Sequence, residues 1–225
     1  MAKIAIIAAL PREIAGLTRG WSASKKQIQN REVHIFESNR AIISCGGIGM
    51  ICARIATEAA WQKSGGKIAQ IISAGFAGAL IPELKVGEIF EPEEVVESVD
   101  NQRIKTVSGN GVLVTAGAIA GGEYKQSLAR AFTARAVDME AFAVGDVARI
   151  YGVPFRAIKA ISDELDFPMP SLGQFVDERG QFHTSRMILY AAVRPATWPV
   201  LIALGSNSAR AAETLAETLR NAINQ

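Results

Sequence analysis

The stretch KIAIIAAL at residues 3–10 is a continuous apolar run, and QIISAG at residues 70–75 repeats the pattern. Runs of this kind, without alternation of apolar and polar residues, are typical of strands that are covered on both faces. Further β-branched runs follow along the chain, separated by segments with apolar positions at helical spacing. This alternation predicts a layered α/β fold with a largely parallel central sheet.

The predicted elements lie within the first 161 residues. The expected strands are 4–9, 33–36, 41–45, 68–73, 112–115, 134–137 and 155–161, and the expected helices are 48–63, 123–132 and 140–151. Since no repeat, low-complexity segment or linker interrupts them, we expect residues 1–225 to form a single domain.

Composition narrows the class of protein. Of the 225 residues, 49% are hydrophobic and 20% are charged, which is typical of a globular protein with a substantial core. The net charge of +2 is spread along the chain without a basic block, so no nucleic-acid partner is expected. The two cysteines and two histidines lack metal-ligand spacing. We therefore expect no metal and no cofactor, and a reduced, cytoplasmic location.

The apolar N-terminus favours a first strand over a signal peptide, because the run stops at Pro11–Glu13 without a cleavage pattern. No stretch reaches the ~20 apolar residues of a spanning helix.

Polar residues follow several of the predicted strands. Ligands gather at the carboxyl ends of strands in such sheets, so these positions are candidates for a site. They are Pro11–Glu13, Gly46–Gly49, Gly75–Gly78, Asp138–Glu140 and Ser162–Asp163.

The glycine turn GGIG at residues 46–49 follows a strand and opens a helix, a place where helix N–H groups can bind phosphate. However, the next strand ends SAGFAGAL, without the acid that a dinucleotide site uses for ribose. The alternative is that the glycines let the backbone pass close to a ligand or a neighbouring strand.

The strand-end carboxylates are more informative together than singly. Glu13, Asp138, Glu140 and Asp163 each suit a helix terminus or a cap. If they converge at one edge of the sheet, they also suit cleavage of an N-glycosidic bond. That reaction needs an acid that protonates the leaving base, a carboxylate that activates the attacking water, and negative charge near the ribose. A dry site would favour the protonated form of Asp163.

These residues resemble those of the nucleoside phosphorylase/nucleosidase superfamily, and in chemistry the methylthioadenosine/S-adenosylhomocysteine nucleosidases. The likeness is carried by KIAIIAALPREI, GGIG, SAGFAG, KVGEI and, most specifically, VDMEAFAV followed by VPFRAIKAISD, where Glu140 and Asp163 are 163 − 140 = 23 residues apart. The resemblance implies a three-layer α/β/α domain with a central twisted mixed sheet, in a homodimer or higher homo-oligomer.

The resemblance also implies roles for individual residues. Glu13 would activate water, Asp163 would donate a proton to purine N7, Glu140 would bind the ribose hydroxyls, and Met139 would pack on the sugar. Further substrate-binding positions are expected at Ser162, Asp138, Ile48, Phe76, Ala77, Gly78 and Ile119.

The second glycine turn favours hydrolysis over phosphorolysis. Where related phosphorylases hold phosphate with an Arg and a Ser, this chain has Ser73 and Phe76. Losing two charge-assisted hydrogen bonds weakens phosphate binding by roughly several kcal/mol. Arg12, Arg40 and Arg54 remain alternative anchors. A phosphate-dependent phosphorylase is therefore the first alternative, and a non-catalytic nucleoside-binding module is the second.

Two residues depart from the nucleosidase pattern. Phe76 replaces a serine near the sugar, and Ile119 stands where those enzymes usually have a Phe that stacks on the base. These differences indicate a pocket shaped for an unusual 5′ substituent.

After Asp163 the chain continues ELDFPMP, FVDERGQF and ILYAAVRPATWPVLIAL. This tail, with LPREIAGL near the start, looks like the hopanoid-associated branch of the superfamily, whose implied substrate is adenosylhopane and whose implied product is adenine. The apolar Trp198–Leu204 region predicts contact with a lipid or a membrane surface. The alternative is a helix that packs on the core or at a subunit interface.

Overall fold

The computed structural model describes residues 2–192 and 194–224. Met1, Val193 and Gln225, which belong to the expected domain 1–225, lie outside the described residues. The strands are β1 Lys3–Ala8, β2 Ser22–Ile28, β3 Arg31–Glu37, β4 Ala41–Cys45, β5 Ile68–Ala79, β6 Ile89–Phe90, β7 Glu94–Glu97, β8 Arg103–Lys105, β9 Val112–Thr115, β10 Ala134–Asp138 and β11 Phe155–Asp163. The helices are α1 Met50–Ser64, α2 Gly122–Phe132, α3 Ala141–Ile150, α4 Thr184–Ala192 and α5 Trp198–Asn224, with short 3-10 turns at Pro11–Glu13, Leu172–Phe175 and Pro195–Thr197.

One mixed sheet holds the described strands together. Its order is β2-β3-β4-β1-β5-β10-β9-β7-β8, with β11 pairing with β5 and β6. β1 runs parallel to β4 and β5, and β11 runs parallel to β5, whereas β10 is antiparallel to β5. The centre is therefore parallel, as the apolar runs predict, and the sheet as a whole is mixed, as the family resemblance implies.

The sheet is covered on both faces. Ala5 and Ile7 pack in the core that α1 and α3 cover, whereas Ile6 packs in the core that α5 covers. Successive residues of β1 thus point into different cores, which is why the run IAIIAAL at residues 4–10 contains no polar position. The resulting layers are α/β/α.

β5 is longer than the sequence predicts. The expected strand 68–73 continues to Ala79, because Gly75 and Gly78 lie within the strand and do not form a turn. Gly75 has φ of +150°, and a Cβ placed there would lie 3.2 Å from Oε2 of Glu13. The glycine is needed because another side chain approaches the strand closely.

The C-terminal helix α5 has two different halves. Ala211, Leu215 and Leu219 are buried against the sheet, whereas Trp198 and Ile202 near its start are exposed. The second half of α5 therefore packs on the core, whereas the lipid contact and its alternative for residues 198–204 stay predictions. Within the described ranges no single helix is long and apolar enough to cross a membrane. The length and composition of a membrane-spanning helix are reached only by two helical segments taken together, 184–190 and 195–224, and these are bent by 120° relative to each other.

Candidate active site

The carboxyl ends of β1, β5, β10 and β11 meet at a cavity of about 170 Å³. Every residue that the sequence analysis predicts for the site lines this cavity. Sequence reasoning missed lining residues from the segments after β11 and from α5, namely Met169, Leu172, Leu204 and Ser208.

Glu13 is held by the turn that follows β1. Its Oε2 accepts hydrogen bonds from the backbone N–H of Ala9 at 3.1 Å and of Leu10 at 3.3 Å. Burial raises the pKa of Glu13, while the Leu10 amide and the positive charges of Lys159 and Arg12 act against that rise. A buried carboxylate with a raised pKa binds a proton more readily than an exposed one, which suits a general base.

Glu140 lies immediately before α3 and faces the start of α1. Its Oε1 accepts the backbone N–H of Gly49 at 2.8 Å, and its Oε2 accepts that of Met139 at 3.3 Å. Burial, followed by the negative charge of Asp138, raises the pKa of Glu140 to about 7. The N–H of Gly49, the last residue of the GGIG turn, thus binds a carboxylate of the same chain, the kind of anion that a helix N-terminus favours.

Asp138 braces the connection between β10 and α3. Its Oδ1 accepts a hydrogen bond from the Thr115 hydroxyl at 2.7 Å, and its Oδ2 accepts the Ala141 N–H at 2.8 Å. Lys159 Nζ also lies 2.8 Å from Oδ2. Both oxygens are therefore engaged by the protein, and the expected contact of Asp138 with substrate stays a prediction.

Lys159 is a completely buried cation on β11. Besides the contact with Asp138, its Nζ donates to Ser73 Oγ at 3.0 Å, and its charge opposes the raised pKa values of Glu13 and Glu140. The sequence contained a signal for this residue, because a lysine inside the apolar strand FRAIKAIS needs a buried acidic partner.

Asp163 ends β11 and is buried. The Ser162 hydroxyl donates to its Oδ1 at 2.7 Å, and Nζ of Lys125 lies 2.5 Å from its Oδ2. Lys125 belongs to α2, is completely buried, and was missed by the sequence analysis. Asp163 is therefore buried away from water, and an ammonium group faces it.

The three arginines considered as phosphate anchors occupy different places. Arg12 lines the cavity, and its guanidinium carbon lies 5.0 Å from the centre of the Phe182 ring. Arg40 lines a different cavity, and Arg54 pairs with Asp146 at 2.7 Å. Of these three, Arg12 is the one that the fold brings to the site.

A second chamber of about 320 Å³ adjoins the cavity. The two share Arg12, Phe76, Leu172, Leu204 and Ser208 as walls. The remaining walls of the chamber are predominantly apolar and include Phe182, Met187 and Leu201. They come from the loop before α4, from α4 and from α5. The carboxylate-lined cavity therefore continues into an apolar space.

A sequence model of the phosphorylase superfamily matches residues 3–111 and 93–182 of the chain. The chain belongs to this superfamily, as the fold and the strand-end motifs predict. Among curated relatives, a 5′-methylthioadenosine/S-adenosylhomocysteine nucleosidase of Actinobacillus succinogenes is 27% identical over 202 residues, covering 73% of this chain and 86% of that protein. An aminodeoxyfutalosine nucleosidase of Helicobacter pylori is 22% identical over 231 residues, covering 86% and 99%.

Solved structures share the fold. The Helicobacter pylori 5′-methylthioadenosine/S-adenosylhomocysteine nucleosidase with butyl-thio-DADMe-Immucillin-A superposes with a TM-score of 0.72 at 18% identity, covering 100% of this chain and 98% of that one. The futalosine hydrolase of the same organism gives 0.71 at 18% identity, covering 99% and 97%. The predicted α/β/α architecture with a mixed sheet is thereby confirmed.

Proposed function

We propose that this chain is an N-ribosyl hydrolase that releases adenine from a 5′-substituted adenosine. The observation that carries the proposal is the convergence of Glu13, Glu140 and Asp163, from three separate parts of the chain, on one cavity. The names of the relatives support it, since both are nucleosidases.

Each carboxylate has a role in the proposed reaction. Asp163 delivers a proton to purine N7 while the C1′–N9 bond breaks and its electron pair passes to the base. The sugar develops oxocarbenium character, which nearby negative charge stabilises. Glu13 takes a proton from the water that attacks C1′, and Glu140 accepts hydrogen bonds from the ribose hydroxyls. Met139 packs on the sugar.

Hydrolysis is favoured over phosphorolysis by the contacts around the second glycine turn. Ser73 is buried and already bonded to Lys159, and Phe76 offers no polar atom to an anion. Arg12 on the cavity wall keeps a phosphorylase as the second candidate. Adenine release with and without inorganic phosphate separates the two: hydrolysis yields free ribose product without phosphate, and a strict requirement for phosphate would refute it.

Asp163→Asn tests whether the chain is a catalyst or a binding module. A catalyst should keep nucleoside affinity and lose about 10²- to 10⁴-fold in turnover, the usual contribution of general acid catalysis. A wild-type protein that binds the nucleosides but releases no adenine would establish the binding module instead.

The adjoining apolar chamber supports a large apolar 5′ substituent. Together with the likeness of the tail to the hopanoid-associated branch, it makes adenosylhopane the proposed substrate. The test is kcat/KM for methylthioadenosine, S-adenosylhomocysteine, aminodeoxyfutalosine and adenosylhopane. A preference for a polar 5′ group would contradict the assignment.

The exposed sides of α4 and α5, the helices that contribute walls to the chamber, support contact with an anionic lipid surface. Ile188 and Leu189 on α4 and Ile202 on α5 are exposed, and no Asp or Glu occurs between Arg179 and Glu213. Apolar side chains combined with unopposed cations are typical of helices that lie at a membrane surface.

Co-sedimentation with phosphatidylglycerol vesicles tests this contact. Binding should fall in an Ile188→Ser/Leu189→Ser variant and persist in Ile51→Ser, a control at an exposed apolar residue of α1. No pelleting of the wild type would refute the proposal. A change in oligomeric state of the double variant without vesicles would show that this surface contacts a second copy of the chain instead.

A further inference from the structure

Lys125 is a buried cation at the edge of the proposed active site, and the roles above do not use it. Its side chain has no exposed surface. Nζ lies 2.5 Å from Oδ2 of Asp163, 2.6 Å from the carbonyl oxygen of Glu164 and 3.4 Å from that of Asp163. An ion pair removed from water is commonly no more stabilising than apolar residues of the same volume. A role in the reaction would explain a lysine at this position.

The three oxygens around Nζ satisfy either of two proton arrangements. An ammonium donates to the two carbonyls, and Oδ2 of Asp163, which accepts no hydrogen bond from the described residues, lies 2.5 Å from Nζ. If one proton lies on Asp163 instead, the two remaining N–H groups of the amine still reach both carbonyls. Ser162 donates to Oδ1 of Asp163 in both arrangements. A proton can therefore cross the short contact between Lys125 and Asp163 while Lys125 keeps its hydrogen bonds to both carbonyls.

Gly78 on β5 lies against the ion pair of Lys125 and Asp163. A Cβ on Gly78 would lie 2.8 Å from Oδ2 of Asp163 and 3.1 Å from Cε of Lys125. A glycine at this point of β5 therefore leaves room for the ion pair between β5 and β11.

We propose that Lys125 is a positioning residue that supplies Asp163 with the proton that departs on the base. Starting from the ammonium–carboxylate pair, one proton passes from Nζ of Lys125 to Asp163 and from Asp163 to purine N7 as the C1′–N9 bond breaks, so that Asp163 ends as a carboxylate. Lys125 is left as a neutral amine and regains its proton from water after the base has left. The inference rests on the proposed nucleosidase function and assigns Lys125 a part in it.

The test compares two leaving groups on the same sugar. Methylthioadenosine needs a proton on the base, whereas the 5′-methylthio p-nitrophenyl riboside releases p-nitrophenolate without one. Lys125→Met should lose about 10²-fold or more in kcat on the nucleoside, within the range of general acid catalysis, with KM little changed. The same variant should hydrolyse the nitrophenyl riboside at close to the wild-type rate, which also shows that it is folded.

Two further variants separate proton supply from charge and packing. Lys125→Arg keeps a cation beside Asp163, but a guanidinium does not release its proton, so its nucleoside activity should also fall while nitrophenyl riboside hydrolysis persists. Lys85→Met is the matched control, because Lys85 is an exposed lysine 3.2 Å from Oε2 of the adjacent Glu164. It should retain full activity on both substrates.

The outcomes distinguish the inference from the function beneath it. Equal losses on both substrates, or full nucleoside activity in Lys125→Arg, would overturn the role of Lys125 and leave the nucleosidase proposal standing. A wild-type protein that cleaves neither substrate would overturn both. In an Asp163→Asn background, Lys125→Met should cause no further loss on the nucleoside, because Lys125 acts through Asp163; an additive loss would refute the inference.

Discussion

Gly78→Ala probes the packing around Asp163 by adding a single methyl group. The added Cβ would lie 2.8 Å from Oδ2, which is 3.4 − 2.8 = 0.6 Å inside the lower limit of ordinary van der Waals contact. Gly78 does not have a positive φ, so the substitution brings no backbone strain of its own. The effect must therefore come from displacement of Asp163 and Lys125.

The magnitude follows from that overlap. Forcing an extra carbon into a packed interior typically costs about 1–3 kcal/mol, and each kcal/mol lowers Tm by roughly 2–4 °C in a chain of this size. A shift of about 1 Å in a catalytic group can cost about 10²-fold in rate, so a shift near 0.6 Å should lower kcat by roughly 10- to 100-fold. Hydrolysis of the nitrophenyl riboside, which needs no acid, should fall much less.

Steady-state adenine release and thermal unfolding, measured on the same preparation, check this prediction. Gly173→Ala is the matched control, because a Cβ at Gly173 would have no neighbour within 4 Å and the residue has no positive φ. Wild-type turnover in Gly78→Ala would show that the room beside Asp163 is not needed, and would refute the reasoning.

Three further predictions concern the carboxylate cluster. Glu140→Gln should raise the free energy of unfolding at pH 8. The pKa of Glu140 is about 7 in the folded protein and 4.5 ordinarily, so the wild type loses up to ~3 kcal/mol of stability as the pH rises from 4.5 to 7. Denaturant titrations of the variant should therefore show a gain in stability that vanishes below pH 4.5, and its KM for the nucleoside should rise. Thr115→Val removes the hydroxyl that donates to Asp138 and accepts the Phe142 N–H at 3.0 Å. It should lower the free energy of unfolding by about 1–3 kcal/mol in the same titration. Thr214→Val, on the exposed side of α5, is the control and should lower it little. Lys159→Met leaves the acidic cluster without its buried cation and should destabilise the protein by about 3–5 kcal/mol; an unchanged Tm would contradict the ion pair with Asp138.

Sequence patterns identify the buried strands well and the exposed ones poorly. The predicted strands 41–45 and 112–115 match β4 and β9, because both consist mostly of buried apolar residues. The sequence analysis did not predict β2, SASKKQI, because most of its side chains are exposed and it carries no apolar pattern. β6 and β8 are only two and three residues long, too short to show a period.

For the candidate site, the sequence predicts positions at strand ends better than partners across the fold. Glu13, Glu140 and Asp163 reach one cavity because β1 and β11 run parallel to β5, and β10, although antiparallel, pairs with the last residues of β5 and also ends there. Lys125 was missed because it lies 38 residues from Asp163 and on a helix. The apolar spacing of α2 marks the face of Leu128 as inward, but it does not show that Lys125 is buried beside it, because lysines are usually exposed.

The two adjoining cavities are built by different stretches of the chain. The carboxylates come from the turn after β1, from the β10–α3 connection and from the end of β11, whereas most chamber walls lie beyond residue 171. In the proposed reaction, chemistry at C1′ and choice of the 5′ group would therefore depend on different stretches of the chain. Replacing apolar walls such as Met187 and Leu201 would then redirect the proposed nucleosidase to new nucleosides while Glu13, Glu140 and Asp163 stay in place.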